Sequence, residues 1–126
     1  MAQLQVTVVE GRNLKKKDFF SESDPFVQIY LDDKRQTQKT KVKSNTKNPY
    51  WNEIFVFNHL KGQNILHIDV YDKELLFNDK IGSLKINLQD LYENKHIDNW
   101  YNLPSRFGVS SNEEIHLILD YQPLQL

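Results

Sequence analysis

Residues 66–82 read LHIDVYDKELLFNDKIG. In the first half of this stretch the apolar residues Leu66, Ile68 and Val70 alternate with polar ones, which places them on one face of a β-strand. In the second half the alternation stops, and acidic residues at positions 72, 74 and 79 surround three consecutive apolar residues. The stretch therefore predicts a half-buried strand that ends in an acidic loop with an apolar tip.

Similar alternation recurs along the chain. Apolar residues occupy every second position in Leu4–Val8, Val27–Leu31, Leu84–Leu88 and Ile115–Leu119, and Trp51–Phe57 is rich in aromatic residues. We interpret Gln36–Val42 as a more polar strand and Trp100–Leu103 as a short one, and the helical candidate is Gln89–Asn94. Many strands and little helix predict an all-β fold, an eight-stranded antiparallel β-sandwich whose loops collect at its two ends.

Length and composition indicate an ordinary folded protein. The chain has 126 residues, which suits one domain over residues 1–126. Hydrophobic residues make up 39% and charged residues 26%. No apolar run approaches the roughly 20 residues that cross a bilayer, so any membrane contact is expected to be peripheral. With no cysteine and no recognisable signal peptide, the sequence favours a reducing, cytoplasmic location.

Two loops carry closely spaced carboxylates. They span residues 17–25 and 71–82, and each follows an alternating strand. Calcium takes about six to eight oxygen ligands from flexible loops, and carboxylates from two facing loops can supply most of them. Acidic residues are also common in ordinary polar turns, and the spacing is not that of an EF-hand. Spacing alone therefore leaves a calcium site and a simple polar loop as equal alternatives.

Three motifs resemble those of the C2 domain family and occur in the family's order. They are Ser23-Asp24-Pro25-Phe26-Val27, Asn48-Pro49-Tyr50-Trp51-Asn52-Glu53 and Asp79-Lys80-Ile81-Gly82, and the resemblance covers essentially the whole chain. It implies an eight-stranded sandwich of the C2 type with its functional loops at one end. It also implies the phospholipase C type of topology, in which the strand at residues 114–121 fills the place that a preceding strand takes in the other permutation.

The resemblance further implies a set of calcium ligands. Transferred by motif position, they are Asp18, Asp24, Asp72, Glu74 and Asp79. Two features depart from the family pattern: Glu74 stands where Asp is more usual, and the second acidic loop is one residue short. We expect both to lower the number or affinity of the calcium ions without removing the site.

Charge supports the same interpretation. The net charge is −1, but without the five implied ligands the chain has 16 basic and 12 acidic residues. The site is thus an acidic end on a basic body. Calcium reverses the local charge and leaves coordination positions that lipid phosphates can fill.

Five apolar residues lie inside the two acidic loops: Phe19, Phe20, Leu75, Leu76 and Phe77. Any one of them can fold back into the core. If they are exposed together, they form the kind of patch that marks an interaction site. We expect some of them to insert into the lipid interface once calcium has cancelled the acidic repulsion.

Lys39, Lys41 and Lys43 alternate, so on a strand they share one face. A solvated sheet edge protected by lysines is one interpretation. The other follows from the resemblance, because the corresponding strand of C2 domains often binds phosphoinositide headgroups. Near an anionic surface each such lysine contributes about 1 kcal/mol.

These features predict a monomeric module that binds calcium and then anionic phospholipid, such as phosphatidylserine or phosphoinositides. The main alternative is a protein-interaction module of the same fold, with calcium structural or irrelevant. No zinc-binding spacing, P-loop, nucleophile elbow or dinucleotide motif occurs, so catalysis is not expected. A hydrolase that uses the acid cluster is not favoured, and the net charge argues against nucleic-acid binding.

Overall fold

The computed structural model describes residues 2–14, 22–60, 62–104 and 112–123. The strands are β1 (Ala2–Arg12), β2 (Pro25–Leu31), β3 (Gln38–Lys39), β4 (Tyr50–His59), β5 (Ile65–Asp72), β6 (Asp79–Asn87), β7 (His96–Asn102) and β8 (Glu114–Gln122). A 3-10 turn spans Lys34–Gln36, and helix α1 spans Gln89–Asn94 as predicted. No helix in the described ranges is long and apolar enough to cross a membrane.

The strands form two antiparallel four-stranded sheets. The first sheet has the order β4-β1-β8-β7 and the second has the order β3-β2-β5-β6. The predicted all-β sandwich is therefore confirmed. Strand β8 lies directly beside β1 along its length, which is the position that the implied topology assigns to the final strand.

The core lies between the two sheets and follows the alternation in the sequence. The following inward-facing residues have no exposed surface: Leu4, Val6, Val8, Val27, Ile29, Leu66, Ile68, Val70, Ile115, Leu117 and Leu119. Burying each of these side chains contributes about 1.5–3 kcal/mol of transfer free energy. The alternate residues of β5, such as His67 and Tyr71, are only half-buried and face outward.

The polar strand is much shorter than predicted. Gln36–Val42 was expected to form it, but β3 contains only Gln38 and Lys39. Gln36 belongs to the 3-10 turn, whose N-cap side chain, Asp33, accepts from the Arg35 N–H. Beyond β3 the chain bridges the two sheets. The Lys41 N–H donates to Glu53 Oε2 of β4 at 2.9 Å, whereas the Lys43 N–H donates to the Pro25 carbonyl of β2 at 3.0 Å. The strand around Trp100 is instead longer than predicted and begins at His96.

The motif at residues 48–53 has a structural role. Asn48 Oδ1 accepts from the Asn13 N–H at 3.0 Å, and the Pro49 carbonyl accepts from the Gly11 N–H at 2.8 Å. Trp51 is buried, and its indole N–H donates to the Lys41 carbonyl at 2.9 Å. The motif thus fixes the start of β4 to the end of β1 and to the segment that carries the lysines.

Close packing explains why Gly82, the last residue of the motif at residues 79–82, is a glycine. A Cβ on this residue would lie 3.2 Å from the Leu103 Cβ, a closer approach than most side chains allow. Gly82 pairs with Val70, one residue before an irregularity in the β5–β6 register. Glycine therefore lets β6 pack close to the end of β7.

Candidate functional site

Strand register brings three of the implied calcium ligands to one end of the second sheet. Asp72 ends β5, and it pairs with Pro25 of β2 on one side and with Asp79 of β6 on the other. Asp24 immediately precedes Pro25. Antiparallel pairing aligns these three strand ends. Asp72 and Asp79 therefore lie near Asp24 although they follow it by 48 and 55 positions in the sequence.

Asp24 and Asp72 contact each other directly. The Asp24 N–H donates to Asp72 Oδ1 at 2.8 Å, and the Lys73 N–H donates to the Asp24 carbonyl at 2.9 Å. Asp72 is only 1% exposed, whereas Asp79 is exposed. Burying a carboxylate beside another acidic residue is costly for folding. A buried carboxylate at the end of a strand is therefore a candidate for a functional group.

The loop between β5 and β6, residues 73–78, presents its apolar tip to solvent. Leu75 is 99% exposed, Leu76 is 84% exposed and Phe77 is 81% exposed. Glu74 at the base of the loop is half-buried, and its N–H donates to Asn78 Oδ1 at 3.3 Å. The alternative that these three residues fold back into the core does not hold in this structure.

Part of the predicted site lies outside the described residues, namely Asp18, Phe19 and Phe20. Within the described ranges, no three acidic or histidine side chains converge closely enough to hold a metal ion. Asp24, Asp72, Glu74 and Asp79 nevertheless offer only oxygen donors, the chemistry that calcium prefers. The donor chemistry of these four residues therefore suits calcium, whereas the positions of the described residues alone do not form a metal site.

The three predicted lysines do not share one strand. Lys39 lies in β3 opposite Gln28 of β2, on the outer face of the second sheet. Lys41 and Lys43 follow the strand, since β3 ends at Lys39, and the Lys43 N–H donates to the Pro25 carbonyl at 3.0 Å. Lys39 and Lys41 are exposed, and neither forms an ion pair with another described residue. The lysine segment therefore runs along the edge of the sheet towards the acidic end.

The outer face of the second sheet carries features that the sequence analysis missed. Phe26 stacks on Tyr71 with ring centroids 5.6 Å apart, and the Lys80 ammonium lies 5.7 Å from the Tyr71 ring. Lys80 also lies 3.8 Å from Asp69. Counting alternate residues outward from the core of β5 and β6 could have found this face, because cross-strand pairs share a face.

His67 lies on the same face. Its ring stacks on that of Tyr30 with centroids 4.4 Å apart, and His67 pairs in register with Lys85 of β6. Desolvation by burial lowers the pKa of His67, and the charges of Lys85 and Lys34 act in the same direction. Asp32 and Asp69 oppose the shift.

We expect wild-type stability to fall more steeply than that of His67→Phe as the pH is lowered through about 6.5 and below. The unfolded chain binds a proton at His67 before the folded chain does, so protonation favours unfolding, and Phe retains the stack without titrating. Melting temperatures of both proteins between about pH 7.5 and 5.5 check this. Parallel pH profiles would contradict it.

Comparisons with known proteins agree with the geometry. The family model of the C2 domain matches residues 2–103. Synaptotagmin-7 of Homo sapiens is 38% identical over 127 residues, a match that covers 95% of this chain and 32% of that protein. The chain thus spans about a third of the length of that relative. Mouse extended synaptotagmin-3 is 31% identical over 127 residues, which cover 96% of this chain and 14% of that protein.

Solved structures show the same fold. The C2A domain of plant extended synaptotagmin 1 matches with a TM-score of 0.84 at 31% identity, and the match covers 99% of this chain and 97% of that one. The C2A and C2B domains of extended synaptotagmin 2, solved with calcium bound, match with a TM-score of 0.81 at 25% identity. That match covers 95% of this chain and 45% of the other. These matches confirm the resemblance carried by the three motifs.

Proposed function

The chain belongs to the C2 domain family, and from this premise we propose that it is a non-catalytic module that binds anionic phospholipid membranes when calcium is present. One observation carries the proposal. The tip of the loop at residues 73–78 exposes three consecutive apolar side chains, 81–99% of each, directly beside the acidic end of the second sheet. Water does not favour such an arrangement, whereas a lipid interface that tolerates the neighbouring charge does.

In this proposal the acidic residues make membrane insertion of the apolar tip depend on calcium. Asp24, Asp72, Glu74 and Asp79, together with Asp18, hold the calcium in this proposal. Without it, their like charges repel both one another and an anionic membrane surface. Bound calcium supplies positive charge and open coordination positions for lipid phosphate oxygens. The tip then inserts its side chains, and each one that becomes fully buried contributes about 1.5–3 kcal/mol.

The lysine segment contributes a second, electrostatic interaction. Lys39 and Lys41 are exposed cations without a described ion-pair partner, and they follow the sheet edge that leads to Pro25 and Asp24. In this proposal, anionic headgroups of the same membrane contact this edge of the sheet. We infer that phosphoinositides bind along Lys39, Lys41 and Lys43 while the loops hold the membrane.

Lys39→Ala is expected to weaken binding to vesicles that contain phosphatidylinositol 4,5-bisphosphate by about fivefold at low salt, since one lysine near the surface contributes about 1 kcal/mol. The defect should shrink as salt screens the interaction. Lys95→Asn is the matched control because it removes one charge from the opposite end and Asn tolerates the left-handed conformation of residue 95. Equal binding of both variants and the wild type at low salt would leave a simple protective edge as the role of Lys39.

Vesicle sedimentation tests the proposed function. The protein should sediment with phosphatidylserine vesicles in calcium, and it should remain in the supernatant with chelator or with neutral phosphatidylcholine vesicles. Sedimentation that is equal with and without calcium would remove the calcium dependence, and no sedimentation under any condition would reject membrane binding.

One observation favours a second candidate, a protein-interaction surface. On the outer face of the first sheet, Tyr50 is 59% exposed, Ile54 is 61% exposed and Val56 is 48% exposed. They lie on edge strand β4, and a scattered set of this kind is common on protein surfaces. Replacing Ile54 and Val56 with Ala should leave vesicle binding unchanged. If this face is a protein-interaction surface, the same replacement should abolish binding of the protein partner.

A further inference from the structure

Asn45 adopts a backbone conformation that few residues adopt without strain. Its φ is 53°, in the left-handed region, and it lies in the turn that follows the lysine segment. Asparagine tolerates this region better than other non-glycine residues, and a β-branched residue tolerates it poorly. The conformation sets the direction in which the Asn45 N–H points.

That N–H donates to Asp24 Oδ1 at 2.6 Å. The short bond fixes one oxygen of a carboxylate that the proposed function places among the calcium ligands. The Asn45 side chain makes a separate contact, because its Oδ1 accepts from the Glu22 N–H at 3.2 Å. Asn45 therefore contacts both the approach to Asp24 and the carboxylate itself.

The neighbouring bonds hold the same segment. The Thr46 N–H donates to the Ser23 carbonyl at 2.8 Å, and Ser23, which has no exposed surface, donates from its Oγ to the Leu14 carbonyl at 2.5 Å. On the other side of Asp24 lie its bonds to Asp72 and Lys73. The backbone around Asp24 is thus fixed by hydrogen bonds on both sides. The turn at residues 44–46 supplies the bonds on one side.

We propose that Asn45 is a positioning residue for the calcium site, and that its left-handed backbone aims the N–H that orients the Asp24 carboxylate. The inference rests on the proposed function, since it assigns Asp24 as a calcium ligand. Partners that orient a metal ligand commonly change metal affinity about tenfold or more when they are removed. Asn45 also connects the calcium site to the lysine segment, because it follows Lys43 by two residues.

Three variants separate positioning from general stability. Asn45→Val opposes the left-handed conformation and turns the N–H away from Asp24. Asn45→Gly accepts the conformation, keeps the N–H and loses only the bond to Glu22. Asn52→Val is the matched control: Asn52 is also left-handed, with a φ of 49°, and it lies in β4 outside the calcium site.

Calcium calorimetry without lipid, at a temperature where all four proteins are folded, should show Asn45→Val binding calcium about tenfold more weakly than the wild type. Asn45→Gly and Asn52→Val should lie within about twofold of the wild type. The proposal is overturned if Asn45→Val matches Asn52→Val, or if Asn45→Gly is as weak as Asn45→Val. If the wild type itself binds no calcium, the proposed function fails. If the wild type binds calcium and Asn45→Val matches Asn52→Val, only the positioning role of Asn45 fails.

A readout without calcium is amide hydrogen exchange in the apo protein. Exchange at residue 45 should be slow in the wild type and at least about tenfold faster in Asp24→Ala, because the acceptor is gone. Exchange at Asn52 should not change. Unchanged exchange at residue 45 would show that its N–H does not depend on Asp24, and the proposed positioning would be wrong.

Discussion

Saturating calcium is expected to raise the melting temperature of the wild-type protein by about 10 °C, and Asp72→Asn is expected to remove most of this gain. A ligand at about 100 times its dissociation constant stabilises the folded state by about 2.7 kcal/mol if the unfolded chain does not bind it. In a domain of this size that free energy corresponds to a shift of roughly this magnitude. Asp72 is the residue to change because it is buried and contacts Asp24.

The substitution is conservative in shape. Asn retains an oxygen at the Oδ1 position, so it can still accept from the Asp24 N–H, but it removes the charge. We therefore expect Asp72→Asn without calcium to be at least as stable as the wild type, since like charges no longer repel at the acidic end. Differential scanning calorimetry with calcium and with chelator measures both effects.

Asp90→Asn provides the control. Asp90 is exposed in the first turn of α1, which follows the end of β6, whereas Asp79 lies at the start of that strand. It should retain the full calcium effect. If calcium stabilises Asp72→Asn as much as it stabilises Asp90→Asn, then Asp72 is not a calcium ligand.

The second large effect concerns the apolar tip. Replacing Leu76 and Phe77 together with Ala should weaken binding to phosphatidylserine vesicles by roughly 30-fold in saturating calcium, which corresponds to about 2 kcal/mol of lost apolar burial. The residual affinity should fall steeply as salt rises, because only screened electrostatic interactions remain. Calcium affinity without lipid should stay close to that of the wild type.

Ile54→Ala combined with Val56→Ala is the matched control for this experiment. It removes exposed apolar surface of the same kind from β4, an edge strand of the first sheet, whereas the loop tip joins two strands of the second sheet. Vesicle titrations of the two double variants and the wild type at several salt concentrations compare the effects. Identical salt curves for all three proteins would mean that the tip stays out of the bilayer and that the membrane contact is electrostatic alone.

Much of the fold could be predicted from local pattern. The inward alternation of Leu66, Ile68 and Val70 depends only on the period of a strand, and the structure places all three in the core. Helix α1 was also predicted with its bounds, because Gln89–Asn94 is the one short run with helical character. The family motifs then gave the arrangement of the sheets, which no single strand determines.

The length of β3 could not be predicted in the same way. Gln36–Val42 has the composition of a polar strand, yet tertiary contacts override it after two residues. The Lys41 N–H bonds to Glu53, and the Trp51 indole bonds to the Lys41 carbonyl, so the backbone of residue 41 bonds to the other sheet and not to β2. Propensity for a strand is weak compared with such long-range bonds.

The exposure of Leu75, Leu76 and Phe77 likewise depended on the structure. Sequence shows that they are apolar and lie in a loop, and that description also fits residues that fold back onto the core. The left-handed Asn45 is a clearer case, because nothing in a single sequence indicates that its N–H reaches a carboxylate 21 residues earlier.

The most direct test of the central claim is a calcium titration by calorimetry, performed with and without phosphatidylserine vesicles. If the same site binds calcium and then lipid, the two ligands must strengthen each other's binding by the same factor. We predict that the vesicles lower the apparent dissociation constant for calcium at least about fivefold, and that neutral vesicles leave it unchanged. A dissociation constant that is the same with anionic vesicles, neutral vesicles and no vesicles would contradict calcium-dependent membrane binding.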